Sequence, residues 1–306
     1  MSGEASDALF EITALPTPPS LLGESPFWHP GEAALYWCDI PGKRLNRYEP
    51  ASGAHRAWGF DCEPGSAAPL LGGGLLLAMR DGLWRFDPAT GERRRLARAP
   101  YDQALERFND GKADAQGRFW VGTIYEPRDP ALASLYRWSG GRLDRMAGDV
   151  TVSNGLAWSL DGRTMYWSDT KTHRIDLLDF DPADGSLSNR RPFMAFPQKD
   201  TTQPIESYGG RPDGAAVDSE GCYWSAMFEG QRLLRISPEG QVLREVKLPV
   251  RCATMACFGD ADLRTLYITT AREKRPAEEL AAQPWAGHVL RLRVDVPGLP
   301  VNFAAG

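Results

Sequence analysis

RPDGAAVDSEGCYW, residues Arg211–Trp224, is the stretch whose reading decides the fold. Pro212 and Gly214 read as a turn that holds Asp213. A short apolar run follows, then a second turn at Asp218–Gly221 and the aromatic strand signal Tyr223-Trp224. The same grammar returns in NDGKADAQGRFW (Asn109–Trp120) and SNGLAWSLDGRTMYW (Ser153–Trp167), and more loosely in LGESPFWHPGEAALYW (Leu22–Trp37). The entry turn of each copy carries one oxygen-bearing side chain: Glu24, Asn109, Asn154 or Asp213. Packing selects apolar residues, so a carboxylate or carboxamide at one place in four repeats points to a site.

Working outward, apolar or aromatic strand centres lie near Tyr36-Trp37, Leu75–Ala78, Phe119-Trp120, Tyr166-Trp167, Tyr223-Trp224 and Leu266-Tyr267. Neighbouring centres are roughly 40 to 57 residues apart, the period of four-stranded propeller blades. The turns YEPASG (Tyr48–Gly53), FDPATG (Phe86–Gly91), FDPADG (Phe180–Gly185) and ISPEG (Ile236–Gly240) read as links from a third strand to a fourth. Helical periodicity is nearly absent, Pro276–Ala282 being the best candidate. The expected fold is all-β, a six-bladed β-propeller, with residues 1–306 as one domain. The lone strand at about residues 8–14 (ALFEITA) is expected to complete the last blade beside Gly287–Val294.

Composition bounds the function. With 42% hydrophobic and 25% charged residues, the chain has the make-up of a soluble globular protein. A formal charge of −5, without a basic face or tail, argues against nucleic acid. No apolar run reaches membrane-spanning length, so no membrane partner is expected. The acidic N-terminal stretch lacks the features of a signal peptide. Five cysteines form no CxxC pair, and a reduced, cytoplasmic setting is the expectation. There is no HExxH, G-x-S-x-G, P-loop or GxGxxG motif.

In a propeller the first strand of each blade lines the channel, so equivalent entry positions converge on one axis. Glu24, Asn109, Asn154 and Asp213 together make a hard-oxygen set suited to Ca²⁺, Mg²⁺ or Mn²⁺, with Zn²⁺ or Fe²⁺ open if water completes the shell. Two carboxylates brought together without a cation repel, and one has to take up a proton. Asp and Asn before Gly are also common turn formers, whereas Glu24 is not. Arg107 lies two residues before Asn109 in an extended segment and can face the same side, offering donors to substrate oxygens. Asp110 and Lys112 fit either role. Asp39, Asp114, Asp161, Asp169 and Asp218 read as ties between strands, and the tryptophans of the YW and FW pairs as blade core.

At LGESPFW, LYWCDI, RFNDGKADAQGRFWVGT, SNGLAWSLDGRTMYWSDT, RPDGAAVDSEGCYWSAM and LYITTA the chain resembles, in order, the senescence-marker-protein/regucalcin and gluconolactonase family, from about Leu21 to Gly298. The resemblance implies a six-bladed propeller with one catalytic divalent metal ion, held by Glu24, Asn154 and Asp213. It places Arg107 and Asn109 on a sugar lactone. Ser25 stands where the family's LGEGP motif has its second glycine, and IYEPRD offers Glu126 as a substrate-binding carboxylate displaced by one residue. The implied activity is hydrolysis of an aldonolactone to the aldonic acid, with Asp213 as metal ligand and general base. Two alternatives stand beside it: a non-enzymatic cytosolic Ca²⁺-binding propeller, and a hydrolase of other esters or organophosphates on the same frame.

Overall fold

The computed structural model describes residues 11–306. Six four-stranded antiparallel sheets succeed one another along the chain, the first five each built in sequence order. Their first strands are Gly23–His29, Pro64–Pro69, Glu106–Ala113, Ser153–Trp158, Arg211–Val217 and Ala253–Gly259. Each touches the next, and the sixth returns to the first, closing a ring around a central channel. This is the six-bladed β-propeller that the repeats imply; we number the blades 1 to 6 in chain order.

Closure of the ring uses both ends of the chain. In blade 6 the strands Ala253–Gly259, Thr265–Thr270 and Leu290–Arg293 are completed by Thr13–Ala14, which pairs antiparallel with Arg291 and Leu290. The expected N-terminal strand is thus short where it is described, and residues 8–10 lie outside the described residues. The one α-helix among the described residues, Ala277–Ala282, is inserted between two strands of blade 6. No described helix is long and apolar enough to cross a membrane.

The expected strand centres are the second strands of their blades, and the hydrophobic core lies between sheets. Trp120 and Leu135 of blade 3 pack with Leu156, Met165 and Trp167 of blade 4, while Trp224 and Leu233 of blade 5 pack with Phe258 and Leu266 of blade 6. Trp37, Trp120, Trp167 and Trp224 are fully buried, each contributing about 2–3 kcal/mol of burial. Their indole N–H groups are satisfied in two ways. Trp120 and Trp224 donate to Asp114 and Asp218 at 2.8 and 2.9 Å, whereas Trp37 and Trp167 donate to Ser20 and Ser153 at 3.1 and 2.6 Å. In the latter blades Asp39 and Asp169 instead accept backbone N–H groups of the entry loops, at Leu21-Leu22 and Thr151-Val152. The repeats therefore come in two kinds, which matters for the site.

Candidate functional site

Every first strand breaks register with its neighbour. In four blades two residues face one across the break. Ser25-Pro26 oppose Trp37, Asn109-Asp110 oppose Gly122, Gly155-Leu156 oppose Trp167, and Asp213-Gly214 oppose Ala226. These are β-bulges, which bend a strand and re-aim its side chains. The expected entry turns are thus bulges inside paired strands, and Asp213 is a buried strand residue rather than the tip of a turn. In blades 3 and 5 the oxygen-bearing residue, Asn109 or Asp213, sits within the bulge. In blades 1 and 4 Glu24 and Asn154 immediately precede it. Gly155 follows Asn154 with φ of +64°, and a Cβ there would lie 2.3 Å from the Tyr223 hydroxyl, so this bulge requires glycine.

The four side chains meet at one end of the channel, on a cavity of about 550 Å³ whose lining includes all of them and Arg107. A chain of hydrogen bonds crosses three blades. Arg107 Nη1 donates to Asn109 Oδ1 (2.8 Å), Asn109 Nδ2 to Asn154 Oδ1 (2.8 Å), and Asn154 Nδ2 to Asp213 Oδ1 (2.6 Å). Thr170 fixes the last link, accepting from Asn154 Nδ2 at 2.8 Å and donating to Pro212 O at 2.7 Å. Glu24 enters from blade 1 and, among the described residues, accepts only from the backbone N–H of Ser25, at 3.1 Å.

Electrostatics make this arrangement unusual. Glu24 and Asp213 are 6% and 5% exposed, and among the described residues neither forms an ion pair with Lys, Arg or His. Burial raises the Glu24 carboxyl well above its ordinary range, with the charges of Asp213 and Asp110 adding to it. Burial likewise pushes Asp213 up to about 8, against the opposing pull of Arg211. Asp110, a third buried carboxylate, accepts from Leu156 N through Oδ2 at 2.9 Å, while its Oδ1 has no hydrogen-bond partner. Its role was open in the sequence; in the structure it is buried close enough to Glu24 and Asp213 for its charge to raise both carboxyls.

Among the described residues no group of three or more His, Cys, Asp and Glu is placed to hold a metal ion. A cation here has to combine the two carboxylates with carboxamide oxygens, each of which accepts one hydrogen bond and keeps a second lone pair. Two buried, uncompensated carboxylates beside such oxygens suit a hard divalent ion.

Glu126 does not join the cluster. Arg80 holds both of its oxygens, at 3.0 and 2.9 Å, and its nearest approach to Arg107 is 3.8 Å. The repeat logic also missed a cationic wall. Arg128, Lys199, Arg211 and Arg275 line the same cavity from connecting segments and strand ends, and buried Glu229 pairs with three of them. Arg128 and Arg211 lie within the quoted stretches IYEPRD and RPDGAAVDSEGCYW, but the repeat pattern assigns them no donor position, and Lys199 and Arg275 fall in no repeat.

Fold and site define a class: a six-bladed propeller with an oxygen-donor centre at one mouth of its channel. Residues 22–272 match the SMP-30/Gluconolactonase/LRE-like region, and the chain belongs to that family. It is 46% identical to a 6-deoxy-6-sulfogluconolactonase of Pseudomonas putida over 289 residues, covering 94% of this chain and 96% of that protein. Regucalcin of Xenopus laevis is 34% identical over 295 residues, covering 92% and 95% of the two chains. The crystal structure of a calcium-binding protein, regucalcin, from Agrobacterium tumefaciens superposes with a TM-score of 0.89 at 26% identity, covering 96% of this chain and 97% of that one.

Proposed function

We propose that this chain hydrolyses a sugar lactone to the corresponding aldonic acid, with a divalent metal ion held by Glu24, Asn154 and Asp213. The observation that carries the reading is the pair of buried carboxylates, Glu24 and Asp213, without an ion-pair partner and beside two carboxamides. The names of relatives such as the Pseudomonas putida lactonase support the reaction, and the regucalcin neighbour's description as calcium-binding supports the ion.

When bound, the ion polarises the lactone carbonyl and acidifies a water. The residues do the rest. Asp213, kept ionised beside the ion, would accept a proton from the attacking water. Water oxygen bonds to the carbonyl carbon, the ring C–O bond breaks, and the proton passes to the departing ring oxygen. The net change is addition of one water, giving a carboxylic acid and a hydroxyl group. Asn109 and Arg107 orient substrate oxygens, and Arg107 is pre-aimed because its Nη1 is already held by Phe108 O and Asn109 Oδ1 at 2.9 and 2.8 Å.

The test is turnover of a panel of aldonolactones by chelator-treated protein, with Ca²⁺, Zn²⁺, Mn²⁺, Mg²⁺ and Fe²⁺ restored one at a time. Hydrolysis above the spontaneous rate, restored by one or more ions, is expected. Tight Ca²⁺ binding without turnover of any lactone would favour the second reading, a calcium-binding propeller, which the Agrobacterium regucalcin's description supports.

A further inference from the structure

The channel-mouth cavity is cationic although the protein is acidic overall. Its lining holds seven lysine and arginine side chains against four carboxylates. Two of those carboxylates, Glu24 and Asp213, are the ones turned toward a divalent ion in the reading above. Of the other two, Glu273 pairs with Lys274 at 3.3 Å. Glu229 is shared by Lys199, Arg211 and Arg275, at 3.1, 3.1 and 2.8 Å; Arg275 has a second acid in Glu279 at 2.7 Å, which leaves one carboxylate for Lys199 and Arg211. A neutral lactone makes no use of such a surplus.

Arg128 is uncompensated. Among the described residues its guanidinium forms no ion pair and no hydrogen bond, while Glu126, the acid two residues before it, is taken by Arg80. Its guanidinium is held below the ordinary range, first by removal from water and next by the like charge of Arg211. The backbone at Arg128 adopts φ of +70°, sparsely populated by residues other than glycine. Arg211 is fixed on the same cavity, its guanidinium stacked over Phe228 at 5.0 Å and tied to Glu229. Both guanidinium groups line the one cavity and the charge of Arg211 disfavours that of Arg128, so an anion in the cavity would stabilise both, and their planar forks suit an oxyanion.

We propose that Arg128 and Arg211 form a subsite for a tetrahedral oxyanion, a sulfonate or a phosphate, carried on the carbon tail of the lactone. This rests on the lactonase reading and narrows its substrate class to anionic sugar lactones. The two arginines set specificity; the hydrolytic residues are those already described. The field of the wall also draws an anionic substrate into the mouth.

The experiment compares kcat/KM of the metal-loaded wild type and of Arg128→Gln on three substrates: glucono-1,5-lactone, its 6-deoxy-6-sulfonate and its 6-phosphate. At a backbone φ that neither side chain prefers, Gln adds no new strain. We expect an anionic lactone to be preferred over the neutral one by about tenfold or more, mainly through KM, with whichever anion is favoured identifying the source. Arg128→Gln should erase that preference and leave the neutral lactone within about twofold of wild type. Equal use of neutral and anionic lactones by the wild type, or an equal loss on both in Arg128→Gln, overturns the subsite and leaves the lactonase reading standing. If no lactone is hydrolysed, the lactonase reading falls, and calorimetric titration with 6-deoxy-6-sulfogluconate, 6-phosphogluconate and gluconate decides the subsite. Tighter binding of either anion-bearing acid than of gluconate, lost in Arg128→Gln, upholds it; equal binding of all three ends it.

Discussion

Asn154 Nδ2 stands 2.6 Å from Asp213 Oδ1, joining the first strands of blades 4 and 5 at the point where each is distorted by a bulge. Asn154 reaches this place from just before its bulge and Asp213 from within its own. The same carboxamide accepts from Asn109 and donates to Thr170, so it links three blades through one side chain. Replacing it with alanine strips partners from Asn109, Thr170 and Asp213 together. Asn154→Ala should cost about 1–3 kcal/mol of unfolding free energy in chelated protein, because each buried group left unpaired carries a desolvation penalty. It should also weaken divalent-ion binding. Urea denaturation and calorimetric titration of the ion would check the two effects separately.

Asp213 ties stability to pH. Its carboxyl is pushed up to about 8 in the folded chain, whereas in the unfolded chain it titrates near the ordinary value of about 4. Between those values the folded state holds a proton that the unfolded state has released. The resulting stability is fully present below about pH 4 and is lost as pH rises through about 8. Chelated protein should therefore lose Tm from pH 5 to pH 9, and Glu24, shifted the same way, adds to the fall. Asp213→Asn should flatten that slope, gain stability at pH 8 and lose turnover by about a hundredfold or more. A chelated wild type whose Tm is flat over this range would contradict the burial of two uncompensated carboxyls.

Removal of the ion should be reversible. The candidate ligands are carboxylates and carboxamides, with no thiolate and no imidazole among them, so EDTA competes on favourable terms. Activity should vanish in chelated protein and return on addition of a divalent cation, with the fold's circular dichroism unchanged at pH 6. Full activity in protein shown by elemental analysis to be metal-free would remove the ion from the reaction.

The ring of donors was legible because repetition aligns it: Glu24, Asn109, Asn154 and Asp213 recur at one place in the blade pattern, and a propeller maps that place onto one axis. Their local backbone was harder to read. Asp-Gly and Asn-Gly signal turns, yet a bulge uses the same chemistry, as the left-handed φ of Gly155 shows. Blades 2 and 6 have Gly65 and Thr254 at the break and give no charged donor. A Cβ on Gly65 would lie 2.3 Å from Phe108 O, so close packing against blade 3 leaves no room for a side chain there. Arg128, Arg211 and Glu229 drew no role from the repeats because they come from connecting segments and strand ends, whose lengths differ from blade to blade. Glu126 was legible by its position after the GT pair, whereas the Arg80 guanidinium that holds it is contributed by another blade and could not be foreseen from spacing.

Arg107 and Glu24 allow ligand and substrate roles to be told apart. Arg107 carries five N–H donors and no acceptor, so it cannot coordinate a cation, whereas Glu24 offers an anionic oxygen pair with a single backbone donor on it. Arg107→Ala should lower kcat/KM on sugar lactones by an amount corresponding to about 1.5–3 kcal/mol while leaving the bound-metal content unchanged. The structure adds a second consequence. Arg107 Nη1 also holds Asn109 Oδ1, so the variant loosens Asn109, and part of the loss should appear in kcat as well as in KM. An aliphatic lactone without ring hydroxyls should suffer less from the same change. Glu24→Ala should instead lower the metal content itself, because a charged ligand is gone. Elemental analysis beside kinetics on both lactones separates these outcomes. Loss of metal in Arg107→Ala, or full metal retention in Glu24→Ala, would reverse the roles assigned to the two residues.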